Sequence, residues 1–291
     1  MRTEQEMMKL ILDIAEHDGR IRAVYMNGSR TNSNAPKDIY QDYDIVFSVT
    51  ETESFIADKG WLSMFGNPLI VQEPDWNDNL AGYSGEIHDF SKRYAWLMLF
   101  DDGNRIDLGI EIKTETTKNF LDDKLTMILL DKDGLLPQIP DPSDEDYHIQ
   151  KPSEGHFIAC CNNFWWCLNN AAKGIARDEL SYVKYMLDSV VRSELHTIMN
   201  WYIGSQKGFD LSTGKLGKYF KKYLSDELFH CYCKTYSGYD YEDIWESIFT
   251  MCALFHTLAL SVAKYFEYTY RQYEEDGMRV YLEKVKADCS K

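Results

Sequence analysis

MNGSRTNSNAPKDIYQDYDIVF, residues Met26–Phe47, joins two apolar segments through a polar loop. The first segment runs into Gly28-Ser29-Arg30, and the second opens with Asp42 and Asp44, one residue apart. Alternate side chains of a strand share a face, so Asp42 and Asp44 project together with Tyr43 opposite. Two carboxylates that close repel one another unless a cation sits between them. Hard divalent ions take oxygen ligands, and Mg²⁺ binds through one or two carboxylates together with substrate phosphates. Glycine at 28 lets backbone come close to a phosphate, turn N–H groups form an anion-binding concavity, and Ser29 adds a hydroxyl donor. Arg30 either contacts phosphate or holds the loop. Strand, Gly-Ser turn and Asp-x-Asp strand stand in the order that a metal–triphosphate site requires.

A third acid is available in RIDLGIEI (105–112), where Asp107 lies between Ile106 and Leu108. Aspartate is depleted in mid-strand and costly if buried without a partner, and a shared metal would make it tolerable. Taken singly, each feature has an ordinary reading. A Gly-Ser pair is usually a turn, and an aspartate pair at a strand end is usually solvated, as Asp101-Asp102 is in a hairpin turn. The ordered set of Gly28-Ser29, Asp42, Asp44 and Asp107 is what points to chemistry. Sites that hold two divalent ions keep them roughly 3.5–4 Å apart, a gap that carboxylates bridge.

Outward from this stretch, helical spacing of Met7, Leu10, Ile11 and Ile14 predicts a helix over 4–17. Strands are expected at 21–26, 42–49, 69–72 and 126–130, and YAWLMLF (94–100) with RIDLGIEI reads as a β-hairpin. Composition changes at PQIPDPSDED (137–146), after which strand signals nearly vanish. Helices are expected over 154–175, 178–204, 217–223, 226–235 and 241–270. The expected fold is α+β, a mixed sheet with helices over residues 1–136, a linker over 137–150, and an all-α domain over 151–291.

The formal charge of −16 is concentrated in the first half, where residues 1–150 carry 29 acids against 14 bases and residues 151–291 carry 18 against 17. Such a field attracts cations and disfavours nucleic acid; with a pI of 4.8 and no basic stripe it argues against a polymerase. No stretch of about 18 uncharged apolar residues suggests a membrane span, and the acid-bearing N-terminal helix does not read as a signal peptide. A cytoplasmic protein is expected. The seven cysteines, odd in number and without zinc-type spacing, read as buried thiols. Monomer and homodimer both stay open.

Gly28-Ser29, Asp42-Tyr43-Asp44 and Asp107 resemble the signature of the DNA-polymerase-β-type nucleotidyltransferase superfamily. The segments GSRTN, QDYDI, LMLFDDGNRIDL, LLDKD, KPS, CCNNFW, KGIAR and GKLGKYFKKYLS run in order along nearly the whole chain. Together they resemble the aminoglycoside 6-adenylyltransferases. The resemblance implies transfer of AMP from MgATP to a hydroxyl of streptomycin, with pyrophosphate released and two Mg²⁺ ions engaged. It implies that Asp42, Asp44 and Asp107 hold the metals and that Gly28, Ser29 and Arg30 form the triphosphate turn; whether Asp107 is only a metal ligand or also the base stays open. Lys173 and Lys215 match basic positions of the family pattern and are candidates for the triphosphate.

A polycationic acceptor calls for an acidic pocket with aromatic walls. Glu86, Asp89 and Glu179 are the acidic candidates, with Trp165 and Trp201 as walls. Two departures fall in the helical half. Asn163 stands where the family pattern has glutamate in CCNEFW, and Val183-Lys184-Tyr185-Met186 replaces Ala-Ile-Asp-His. Both bear on the acceptor and leave the nucleotide chemistry untouched. A transferase with a different small-molecule or protein acceptor is therefore the alternative, with a catalytically silent nucleotide-binding module as the reading from another class.

Overall fold

The computed structural model describes residues 1–83, 85 and 87–289. The chain divides into two compact units, Met1–Asp146 and Tyr147–Lys291. The first is a mixed sheet with helices and the second is helical throughout.

The sheet unit opens with α1 (Glu4–His17). Thr3 Oγ1 accepts from the Glu6 N–H while the Glu6 carboxylate accepts from the Thr3 N–H, closing a capping box. Six strands follow: β1 (Ile21–Asn27), β2 (Tyr43–Val49), β3 (Pro68–Gln72), β4 (Arg93–Phe100), β5 (Arg105–Ile112) and β6 (Thr126–Asp131). Their order is β3-β4-β5-β2-β1-β6. The β2–β5 pair is parallel and the other pairs are antiparallel. Three short helices, α2 (Glu53–Ala57), α3 (Pro74–Ala81) and α4 (Lys113–Asn119), lie in connections that periodicity does not mark.

Strand alternation gives the sheet two unlike faces. Val24 and Met26 of β1, Tyr43, Ile45 and Phe47 of β2, Trp96 and Met98 of β4, and Ile106 and Leu108 of β5 form one apolar core with Met7, Ile11 and Ile14 of α1. The intervening residues, Asp44, Ser48, Asp107 and Glu111 among them, lie on the opposite face, where the apolar packing is smaller and centres on Ala23, Tyr25, Phe120 and Leu136. The carboxylates are thus delivered to one face because their neighbours bury on the other.

The proline-rich segment expected as a linker packs on the sheet unit as far as Asp146. Ile139 packs beside the Tyr25 cluster, and Asp144 accepts from Asn34 Nδ2 at 3.0 Å.

The helical unit contains α5 (Glu154–Ala176), α6 (Leu180–Tyr185), α7 (Arg192–Lys207), α8 (Phe220–Tyr223), α9 (Asp226–Cys233), α10 (Tyr241–Phe266) and α11 (Gln272–Cys289). The stretch expected as one helix over 178–204 is interrupted by a π-helical segment, Met186–Val191. The helix expected to reach 270 ends at Glu267, whose left-handed φ of 60° stops it, and α11 follows. Although α10 is long and apolar enough to cross a membrane, it buries Ile244, Ile248, Met251, Phe255, Leu258 and Val262 in the core of this unit. Of the cysteines, Cys160, Cys161 and Cys252 are buried thiols as expected, while Cys233 and Cys289 are exposed.

Trp165 is a correction to the sequence reading, because it is core and not a pocket wall. It is 2% exposed, meets Phe164 and Phe255 edge-on at 5.0 and 5.8 Å, and its Nε1 donates to Tyr270 Oη at 3.0 Å. Trp165→Ala is expected to destabilise the helical unit by about 3–5 kcal/mol, the usual cost of deleting a buried aromatic. Thermal unfolding followed by circular dichroism measures this; an unchanged melting temperature would contradict the assignment.

Candidate active site

The sheet's polar face brings together residues that are far apart in sequence. Parallel pairing sets Asp44 directly beside Asp107, and the β1–β2 register sets Asn27 against Asp44. Asp42 precedes β2 by one residue and shares the Asp44 side by alternation. Burial pushes the Asp44 carboxyl up to about 6, and the charges of Asp107 and Asp42 push it in the same direction. Asp42 is raised too, first by burial, with Arg105 opposing and Asp107 reinforcing. The cluster has the electrostatics of a site short of positive charge.

Gly28 closes against this cluster. It follows β1 directly, opens the short 3₁₀ turn Gly28–Arg30 and has a φ of +78°. A Cβ there would stand 2.2 Å from Asp44 Oδ2. Glycine is required twice over, by the left-handed backbone and by the carboxylate pressed against it. Ser29 lies beside Gln41, whose Nε2 donates to the Ser29 carbonyl at 3.2 Å.

Arg30 belongs to the loop's scaffold. Its Nε donates to the Asp42 carbonyl at 3.0 Å and its Nη2 to the Gln41 carbonyl at 2.7 Å. The guanidinium lies 3.7 Å from the centre of the Tyr43 ring, and the side chain is only 6% exposed. Of the two roles open in the sequence, these contacts fit holding the loop.

Arg105 was not singled out in the sequence, although the same alternation that aims Asp107 aims it as well. Its Nε and Nη2 donate to the two oxygens of Asp107, each at 2.7 Å, and its Nη1 lies 3.5 Å from Asp42 Oδ2. Among the described residues, no three His, Cys, Asp or Glu side chains are gathered closely enough to share one ion. The donor set nonetheless suits a hard divalent ion: carboxylate oxygens on adjacent strands, with the half-buried Asp44 only partly compensated by positive charge.

The remaining candidates are dispersed. Lys173 lies in the last turn of α5 and Glu179 is exposed at the start of α6. Lys215 is exposed on the loop after α7, beside Leu216, a non-glycine residue at φ +56°. This loop borders a cavity of about 470 Å³ within the helical unit, lined by His148, His156, Asn200, Trp201, Thr213 and Lys215 among others, with no aspartate or glutamate in its lining. Trp201 is 4% exposed and meets the His156 ring edge-on at 5.0 Å. Asp89 is spent locally, accepting from Ser91 Oγ at 2.6 Å and facing Lys92 Nζ at 3.2 Å. Glu86 lies outside the described residues. Asn163 is exposed on α5 with its Nδ2 3.5 Å from Glu194 Oε1, so a carboxylate stands beside the position, and Tyr185 is 64% exposed.

The raised Asp44 carboxyl fixes the sign of a pH effect. The folded protein binds this proton more tightly than the unfolded chain, so ionising Asp44 costs stability above about pH 6, and the cost vanishes below about pH 4. In metal-free buffer at pH 8, Asp44→Asn is expected to be more stable than the parent by about 1–3 kcal/mol, with the gap closing toward pH 4. Urea denaturation across this range measures it; a less stable variant at pH 8 would contradict the electrostatic picture.

With this geometry in hand, comparison with known proteins is informative. The family model for streptomycin adenylyltransferase matches residues 1–285. An aminoglycoside 6-adenylyltransferase of Bacillus subtilis (strain 168) is 38% identical over 286 residues, covering 98% of each chain. One from Campylobacter jejuni is 38% identical over 275 residues, covering 94% of this chain and 93% of its own. A crystal structure of an aminoglycoside 6-adenyltransferase from Bacillus subtilis aligns over 98% of this chain and 99% of that one, with a TM-score of 0.48 and 32% identity. The chain is a nucleotidyltransferase and belongs to the streptomycin adenylyltransferase family.

Proposed function

We propose that the chain transfers AMP from MgATP to a hydroxyl of an aminoglycoside, with streptomycin the first candidate, and releases pyrophosphate. The observation that carries this reading is the register-matched pair Asp44–Asp107, with Asp42 on the same side and the Gly28 turn pressed against Asp44. The names of the relatives support the acceptor class. An ATP-dependent transfer also suits a cytoplasmic enzyme.

Asp42, Asp44 and Asp107 would hold the divalent ions, two being proposed. Bound there, the ions supply charge neutralisation at the transferring phosphorus. The chain's own residues do the positioning. Gly28 and Ser29 offer close backbone and a hydroxyl to the triphosphate, while Arg30 keeps the turn in shape. Lys215, at the rim of a cavity whose described lining residues include no acid, is the first basic residue proposed for phosphate, since such a lining favours an anionic ligand over a polycation. Lys173 is the second basic candidate. Asp107 also accepts the proton of the attacking hydroxyl. Glu179, Asp89 and Glu86 are the acids proposed for the antibiotic, and Glu194 joins them through its proximity to Asn163.

Purified protein is incubated with MgATP and streptomycin, and pyrophosphate release and product mass are followed. A product heavier by one AMP is expected. Asp42→Asn should lower the transfer rate by at least about 10²–10³, the usual cost of removing one preorganised electrostatic stabiliser. A second reading, favoured by asparagine at 163 and tyrosine at 185, keeps the transfer and changes the acceptor. Pyrophosphate release with another hydroxylated amine and none with streptomycin would select it. Absence of MgATP binding would overturn both.

A further inference from the structure

Arg105 stands where a cation belongs. Strand alternation carries it to the carboxylate face with Asp107, two residues on. Its fork engages both Asp107 oxygens at 2.7 Å, and the third nitrogen reaches to 3.5 Å from Asp42 Oδ2. An ion coordinated by Asp107 would share oxygens that this fork already engages and would meet the like charge of the guanidinium beside it. The two arginines of the site differ in freedom. Arg30 is 6% exposed and tied to two carbonyls and a ring, whereas Arg105 is 42% exposed and bonded to one carboxylate. A half-exposed guanidinium can turn away from its partner at little steric cost, and a bidentate carboxylate bond is exchangeable for a phosphate one.

We propose that Arg105 is the site's built-in counterion: in the metal-free protein it offsets part of the charge of the Asp42–Asp44–Asp107 cluster, and a divalent ion loads by displacing it from Asp107. The proposal rests on the metal reading of this site given above. A metal ion arriving alone meets a competitor. An ion arriving with a triphosphate brings an anion that can receive the displaced guanidinium. Metal and nucleotide therefore bind cooperatively, and Arg105 is the positioning residue that couples them.

The test uses the full chain stripped of metal, with Mn²⁺ as the probe and the free-ion paramagnetic resonance signal as the readout. Wild type, Arg105→Lys and Arg105→Gln are compared with and without the non-hydrolysable analogue α,β-methylene-ATP. Mn²⁺ alone is expected to bind Arg105→Gln at least about tenfold more tightly than wild type, with Arg105→Lys between them because a single point contact competes less than a fork. The analogue should tighten Mn²⁺ binding in wild type more than in Arg105→Gln. A merely structural arginine predicts the reverse, a loss of affinity on substitution. Equal or weaker Mn²⁺ binding by a variant whose circular dichroism and melting match wild type would overturn the proposal, and Arg105→Lys carries the comparison should the glutamine variant not fold. Binding that is abolished by Asp42→Asn yet indifferent to Arg105 would leave the metal site standing and the counterion role disproved. Absence of saturable Mn²⁺ binding in every protein would remove the metal site and this proposal together.

Discussion

The parallel pairing of β2 with β5 is the constraint on which the site depends. It sets Asp44 level with Asp107 across one ladder spacing, and strand alternation then leaves no choice about which face receives them. Tyr43, Ile45 and Phe47 on one strand and Ile106, Leu108 and Ile110 on the other are all at most 1% exposed. Burying those side chains stabilises the sheet, and the same burial turns the acids outward together. The cost of crowding like charges is thus met by the apolar core on the reverse side of the same strands. The chemistry is held in place by residues that never touch it.

Charge balance inside the cluster follows from the same geometry. Three carboxylates lie among two arginines with distinct duties, one under the loop and one on the acids. Asp44 has no arginine bonded to it among the described residues, and its carboxyl is pushed up to about 6. Arg105 instead gives its fork to Asp107, 21% exposed, and only approaches Asp42. The metal-free arrangement is therefore a compromise among ion pairs, not a preformed cage. On the proposed reading, loading with ions and nucleotide would be an exchange of partners.

Much of this was legible in the sequence because it is local. Period-two alternation located β1, β2, β4 and β5 to within a residue or two, and the spacing of Asp42 and Asp44 put those two on one face. What escaped reading depends on distant contacts or on weak patterns. Parallel pairing joins strands separated by the whole of residues 50–104, and no short-range signal announces it. Arg105 sits in RIDL in the same alternation as Asp107, yet attention to carboxylates passes over the cation beside them. Trp165 next to Phe164 looks alike whether it walls a pocket or fills a core, and its burial against Phe164, Phe255 and the Tyr270 hydroxyl decides. The break between α10 and α11 falls at a left-handed glutamate, with neither glycine nor proline to mark it. The π-helical segment after α6 changes the hydrogen-bond ladder without changing the periodicity enough to be seen.

The contacts of Arg30 have a consequence for how this chain can vary in length. Its guanidinium ties residue 30 to the backbone of residues 41 and 42, and Asn34 is moored to Asp144. Between these anchors, residues 36–40 stand clear, with Ile39 61% and Tyr40 79% exposed. A clasp that fixes both ends of a loop uncouples the span between them from what lies beyond. Residues could be inserted or deleted there while β1 and β2 keep their register, whereas a single deletion inside β2 would turn Asp44 into the apolar core. The part of the molecule freest to change length is therefore stitched next to its least negotiable residues, and the stitch is an arginine.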